Sequence, residues 1–132
     1  MNGNIYLLDT NAIIRHFSNA SNLGKQAGNI IKKAEADNGD ILLISIISLM
    51  EILYLAEKNR IPVTLAETLK WIETKSCYEI VAFDKDVLTT IEKINFYEMH
   101  DRIILATAMY YNTPILSSDK LFKQVKGIEI IW

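Results

Sequence analysis

The sequence predicts an α/β fold in which a central, mainly parallel β-sheet is flanked by helices. Two observations predict it: short apolar runs recur along all 132 residues, and between them the apolar residues recur at helical spacing. Parallel neighbouring strands need crossover connections, which the intervening helices supply on both faces of the sheet. Because no linker or repeat interrupts this alternation, we expect residues 1–132 to form a single domain.

The individual elements follow from local patterns. Strands are predicted at residues 5–8, 41–44, 78–82, 115–116 and 128–132. Helices are predicted to carry the apolar residues within 12–17, 27–34, 49–56, 65–72, 87–91 and 103–108. Asn38 with Gly39, then Pro62, and later Thr113 with Pro114 mark breaks between elements. The segment 103–108 is apolar all round, so its helix is expected to run through the interior.

Composition and charge restrict the class of protein. A formal net charge of −2 argues against a large basic face for non-specific binding of nucleic acid. The lone Cys77 cannot form an internal disulfide and is interpreted as a core residue in a reducing compartment. No apolar run reaches the roughly 20 residues that cross a bilayer, and the first residues do not resemble a signal peptide. We therefore expect a cytoplasmic protein that does not enter membranes.

Acidic residues follow the predicted strands at the point where each strand ends. Asp9 comes directly after the first strand, Ser48 and Glu51 after the second, and residues 117–119 after the fourth. In open α/β sheets the carboxyl ends of the strands border the ligand crevice. Asp101 opens the nearly all-apolar helix and is expected to lie where that helix reaches a polar pocket. The sequence thus predicts that four carboxylates meet at one edge of the sheet.

Four adjacent carboxylates favour metal chemistry. Like charges raise each other's pKa, so such a cluster requires protons or cations. Oxygen ligands select Mg²⁺ or Mn²⁺ over zinc, and the two histidines, His16 and His100, share no ligand spacing. A bound divalent ion suits phosphodiester hydrolysis, which needs no nucleophilic side chain. The sequence also lacks a GxSxG elbow and a phosphate-binding glycine loop.

Four segments together resemble the signature motifs of PIN domains. They are LLDTN at 7–11, SLME at 48–51, HDRIILATA at 100–108 and ILSSDKLF at 115–122. Each motif alone is weak, but their order, separations and placement on strands and helices form a specific signal. The chain therefore resembles the PIN-domain ribonucleases of the VapC toxin type, and the resemblance implies a three-layer PIN-like fold.

The resemblance also implies roles for individual residues. The acidic metal-binding residues would be Asp9, Glu51, Asp101 and Asp119, and the supporting polar residues Thr10, Asn11 and Ser117. In this family the usual substrate is RNA, and the expected products carry a 5′ phosphate and a 3′ hydroxyl. Related toxins usually form homodimers and are silenced by a small antitoxin. We therefore expect a Mg²⁺- or Mn²⁺-dependent endoribonuclease with both partners.

Plainer interpretations compete with these roles. Asp9 and Asp101 could each cap a helix, Ser48 with Glu51 fits a capping box, and Asp119 could be a turn residue. Four unrelated caps at one sheet edge would be a coincidence, so we favour the joint explanation.

Other features allow alternatives. Arg15 and Arg102 stand near the acidic motifs and are candidates for contact with RNA phosphates. The apolar face formed by Leu65, Leu69 and Ile72 could serve a dimer, an antitoxin or only the core. Two rival functions remain open: a nuclease of the same fold that works in RNA processing or on DNA without an antitoxin, and a non-catalytic RNA- or protein-binding module.

Overall fold

The computed structural model describes residues 3–132, within which five strands form one parallel sheet. The strands are β1 (Ile5–Leu8), β2 (Ile41–Ser45), β3 (Tyr78–Val81), β4 (Ile115–Leu116) and β5 (Ile130–Ile131). Their order across the sheet is β3-β2-β1-β4-β5, and every neighbouring pair is parallel. The predicted parallel sheet is confirmed.

Six α-helices connect the strands within residues 3–132. They are α1 (Thr10–Phe17), α2 (Lys25–Glu35), α3 (Ile46–Glu57), α4 (Leu65–Glu73), α5 (Lys85–Ile91) and α6 (Met99–Tyr111). A 3-10 helix at Lys120–Gln124 follows β4. All the predicted helices are present, and the last strand is shorter than expected. No helix among these is both long enough and apolar enough to cross a membrane.

The sheet is the middle of three layers. Helices α1 to α4 pack on one face around Leu8, Leu42 and Ile44, whereas α5, α6 and the 3-10 helix cover the other face around Leu7 and Leu43. Adjacent strand residues thus point to opposite cores, as the two-residue period of a strand requires. This is a three-layer α/β fold with a hydrophobic core on each side of the sheet.

Burial explains several sequence patterns. Residues 103–108 of α6 are all buried, which confirms that this apolar helix runs through the interior. Cys77 is a buried free thiol, as expected of a core residue. Ile72 is buried and Leu65 and Leu69 pack against the same core, so their shared face serves the core. Burying one such side chain contributes about 1.5–3 kcal/mol.

Two helices begin earlier than the sequence predicted. Ser45, the last residue of β2, caps α3 by accepting the Ile47 N–H at 3.1 Å, so Ser48 lies inside the helix. The capping-box interpretation of Ser48 and Glu51 is therefore wrong. Glu98 caps α6, and Asp101 lies in the first turn, so the interpretation of Asp101 as the cap is also wrong. In both cases the cap is the residue at which the extended backbone ends.

Candidate carboxylate site

Asp9 lies at the end of β1, where the chain turns into α1. The side chain is only 7% exposed. One carboxylate oxygen accepts the Thr10 N–H at 2.8 Å and caps α1, as the plainer interpretation predicted. The other accepts the Ser117 hydroxyl at 2.8 Å. Capping and a place in the site are thus compatible, because the two oxygens serve different partners.

Ser117 connects two of the candidate ligands. While it donates to Asp9, its Oγ accepts the Asp119 N–H at 3.0 Å. Asp119 in turn caps the 3-10 helix by accepting the Leu121 N–H at 2.9 Å. The end of β4 is therefore fixed to the end of β1 by a buried hydroxyl. The supporting role predicted for Ser117 stays a prediction, and these two hydrogen bonds are compatible with it.

A second hydroxyl pair joins α1 to α3. Thr10 Oγ1 donates to Ser48 Oγ at 2.9 Å, and both residues are buried. Glu51 follows Ser48 by three residues, so the two lie on the same side of α3. The pair therefore fixes the position of Glu51 relative to Asp9.

Asp101 reaches the same region from α6. Its backbone N–H donates to the Glu98 carboxylate at 2.7 Å, which fixes the first turn of the helix. Glu98 lies outside the four sequence motifs and was not among the predicted residues. The available signal was its position three residues before Asp101, the spacing at which a cap accepts a backbone N–H. Glu98 is also hydrogen-bonded to His100 at 3.3 Å.

The electrostatics show that the four carboxylates influence one another. Burial raises the pKa of Asp9 to about 6, and the charges of Glu51 and Asp119 add to this despite the hydrogen bonds from Ser117 and Thr10. Burial, followed by the charge of Glu98 and those of Asp9, Asp119 and Glu51, raises the pKa of Asp101 to about 7. These four residues, Asp9, Glu51, Asp101 and Asp119, are called the carboxylate site below.

The donor set of the carboxylate site suits a hard divalent cation. Its ligands are all oxygens, the chemistry that Mg²⁺ and Mn²⁺ prefer. As arranged here, however, no three His, Cys, Asp or Glu side chains of residues 3–132 form a ready metal-binding group. The outer torsions of Asp and Glu are broad, so these side chains can rotate. Rotation of these side chains would therefore be needed for joint coordination.

The remaining predicted residues differ in their positions. Arg15 donates to Ser118 Oγ at 3.2 Å, and its guanidinium lies 5.4 Å from the centre of the Trp132 ring. Arg15 is thus held beside the segment that joins Ser117 to Asp119. Arg102 lies next to Asp101 in the chain and donates to the carbonyl of Ile91, the last residue of α5, at 3.1 Å. Asn11 is exposed on α1 and makes no side-chain hydrogen bond within residues 3–132.

Solved structures with similar folds include two DNA-bound VapBC complexes. The chain matches one from Rickettsia felis, bound to a promoter fragment, at a TM-score of 0.72 and 19% identity over 96% of both chains. It matches the complex from Salmonella typhimurium at 0.70 and 22% identity over 97% of both chains. FitAcB from Neisseria gonorrhoeae gives 0.64 and 15% identity over 96% of both chains. At these identities the likeness establishes the fold.

The family is established by the sequence itself. No curated protein sequence matches this chain. Residues 6–128 match the PIN domain family, a span that includes most of β1, the whole carboxylate site and the 3-10 helix. The chain belongs to the PIN domain family.

Proposed function

We propose that this protein is a metal-dependent endoribonuclease and the toxin of a toxin–antitoxin pair. PIN domains are generally nucleases that use divalent metal ions, so hydrolysis of a phosphodiester bond is the chemistry expected of this chain. The observation that carries the proposal is the carboxylate site, in which Asp9 and Asp101 have pKa values raised to about 6 and about 7. Within residues 3–132 no Lys, Arg or His forms an ion pair with any of its four members.

The proposed roles follow from the contacts. Asp9, Asp101 and Asp119 would hold Mg²⁺ or Mn²⁺, and Glu51 would complete the cluster or orient the attacking water. A bound divalent cation lowers the pKa of water and neutralises charge on the phosphoryl oxygens. Ser117 holds Asp9 in orientation through its hydroxyl, as partners of metal-binding carboxylates commonly do.

Secondary contacts support the same roles. The Thr10–Ser48 hydrogen bond positions Glu51, and Asn11 is the exposed polar residue of the same motif. Arg15 and Arg102 flank the carboxylate site and would contact the phosphates of the RNA. Hydrolysis of this kind leaves a 5′ phosphate and a 3′ hydroxyl. The proposed location is the cytoplasm, where the RNA substrate would be found.

The proposed partners are an antitoxin and a second copy of the chain. The similar folds reported above are VapBC and FitAcB structures, which supports an antitoxin. Helix α3 also exposes a stripe of large apolar side chains, with Ile46 at 44%, Met50 at 59% and Tyr54 at 52% exposure. Contiguous exposed apolar residues mark protein interfaces, so this stripe supports a protein partner or a homodimer.

The test is sequencing of RNA 5′ ends after brief induction of the native chain or of Asp9→Asn. Asp86→Asn is the matched control, because Asp86 is an exposed carboxylate on α5 that lies outside the four motifs. We expect new 5′-phosphate ends with the native chain and with Asp86→Asn, and none with Asp9→Asn. Identical profiles for native chain and Asp9→Asn would favour a non-catalytic PIN module. Cleavage without a co-purifying small protein would favour an RNA-processing nuclease.

A further inference from the structure

A pocket of about 480 Å³ lies between the start of α6, with the segment that precedes it, and the 3-10 helix. Its lining residues are Asn95, Phe96, Tyr97, Arg102, Leu121 and Gln124. Two of them are tied to candidate ligands: Arg102 directly follows Asp101, and the Leu121 N–H donates to Asp119. A chain of RNA with a phosphate at the carboxylate site would therefore pass this pocket.

An exposed aromatic ring forms one wall of the pocket. Tyr97 is 89% exposed and lies parallel to Phe96, with ring centres 5.8 Å apart and an angle of 7° between the rings. Phe96 is in turn anchored edge-on to the buried Phe122 at 5.7 Å. Phe96 thus supports one face of the Tyr97 ring. Because Tyr97 is so exposed, its side chain contributes little to the stability of the fold. Such a supported aromatic face is what stacking of a nucleobase requires.

Polar groups complete the lining. Arg102 is fixed by its hydrogen bond to the Ile91 carbonyl and adds a positive charge to the lining. The side-chain amides of Asn95 and Gln124 carry both donors and acceptors. The edge of a nucleobase also carries both and can pair with these amides. Together with the exposed ring of Tyr97, this lining favours a nucleotide.

We propose that this pocket binds one nucleobase of single-stranded RNA next to the bond that is cut. Tyr97 stacks on the base, Asn95 and Gln124 contact its polar edge, and Arg102 contacts the phosphate beside it. The proposal rests on the proposed function and adds to it a site that determines which nucleotide lies beside the cleaved phosphate.

The test is binding of a short fluorescein-labelled single-stranded RNA, measured by anisotropy in the Asp9→Asn background, where cleavage does not interfere. We expect Tyr97→Ala to weaken binding about tenfold, since stacking on one aromatic residue accounts for an effect of this size. Tyr97→Phe retains the ring and should bind as the parent does. Tyr110→Ala removes another exposed tyrosine, at the far end of α6, and should leave binding unchanged.

RNAs that lack one base at successive positions identify the nucleotide concerned. At the position that occupies the pocket, loss of the base should weaken binding by the parent but not by Tyr97→Ala. Equal binding by Tyr97→Ala and Tyr110→Ala would overturn the proposal, as would a Tyr97→Ala variant that loses only a protein partner. If RNA binding depends on Tyr97 but the native chain cleaves no RNA, the proposed nuclease activity is refuted and the proposed nucleobase pocket is retained.

Discussion

Replacement of Asp101 by Asn should stabilise the metal-free protein at neutral pH. Burial and the charges of Glu98, Asp9, Asp119 and Glu51 raise the pKa of Asp101 from 3.8 to about 7. In the folded chain the carboxyl group therefore keeps its proton up to a higher pH than in the unfolded chain. The contribution of Asp101 to the free energy of unfolding should therefore fall as pH rises from about 4 to about 7.

The size of the effect follows from the shift. About three pH units at about 1.4 kcal/mol each set a ceiling of about 4 kcal/mol. Because the Asp101 side chain is partly exposed, solvent screening reduces this to about 2 kcal/mol. Asn also loses a negative charge in the first turn of α6, which costs about 0.5 kcal/mol. A net gain of about 1–2 kcal/mol is expected at pH 7.5 and none near pH 4.

Urea unfolding in EDTA at several pH values measures this gain. Asp86→Asn is the control and should stay within about 0.5 kcal/mol of the native chain at every pH, as exposed substitutions usually do. Addition of Mn²⁺ should stabilise the native chain more than Asp101→Asn, because the variant lacks one carboxylate ligand. If Asp101→Asn is no more stable than the native chain at pH 7.5 without metal, then burial and neighbouring charges do not destabilise the ionised form of Asp101, and the reasoning is refuted.

Three further predictions concern side-chain hydrogen bonds of Asp9, Glu98 and Glu35. Ser117→Ala removes the hydroxyl that orients Asp9 and should weaken Mn²⁺ binding about tenfold by calorimetry; unchanged affinity would show that Ser117 has no supporting role. Glu98→Ala should lower the free energy of unfolding by about 1 kcal/mol, and Glu98→Gln by less because an accepting oxygen remains; equal losses would exclude capping as the cause. Burial tends to raise the pKa of Glu35, but hydrogen bonds from Tyr78 and His16 outweigh it and lower this pKa below its ordinary value. The Tyr78–Glu35 hydrogen bond therefore stabilises the fold above the ordinary carboxyl pKa, and this stabilisation is lost as pH falls through the lowered pKa. Tyr78→Phe should accordingly cost about 1–2 kcal/mol in urea at pH 7 and less in acid, and a cost independent of pH would contradict this.

Much of the fold could be predicted from hydrophobic periodicity. The short apolar runs before Asp9 and Ser117 indicated buried strands, and the all-apolar segment of α6 indicated an interior helix. Both follow because buried positions are occupied mainly by apolar residues. Convergence of Asp9, Glu51 and Asp119 followed from parallel topology, since the carboxyl ends of the strands share one edge. These inferences need only local patterns and one rule of connection.

The details that failed depend on tertiary geometry. Ser45 and Glu98 cap their helices because the extended backbone ends there, a property that residue type alone did not reveal. The pocket around Tyr97 was not predicted either, because Phe96 anchors it to Phe122 across a gap of 26 residues in sequence (122 − 96). Long-range packing of this kind leaves no periodic signal.

Calorimetric titration of Mn²⁺ into the native chain, Asp9→Asn and Asp86→Asn is the most direct test of the carboxylate site as a metal centre. The account predicts saturable binding to the native chain and to Asp86→Asn, and binding weakened at least tenfold by Asp9→Asn, as expected on loss of a ligand. No binding by the native chain, or equal affinities for all three, would contradict it.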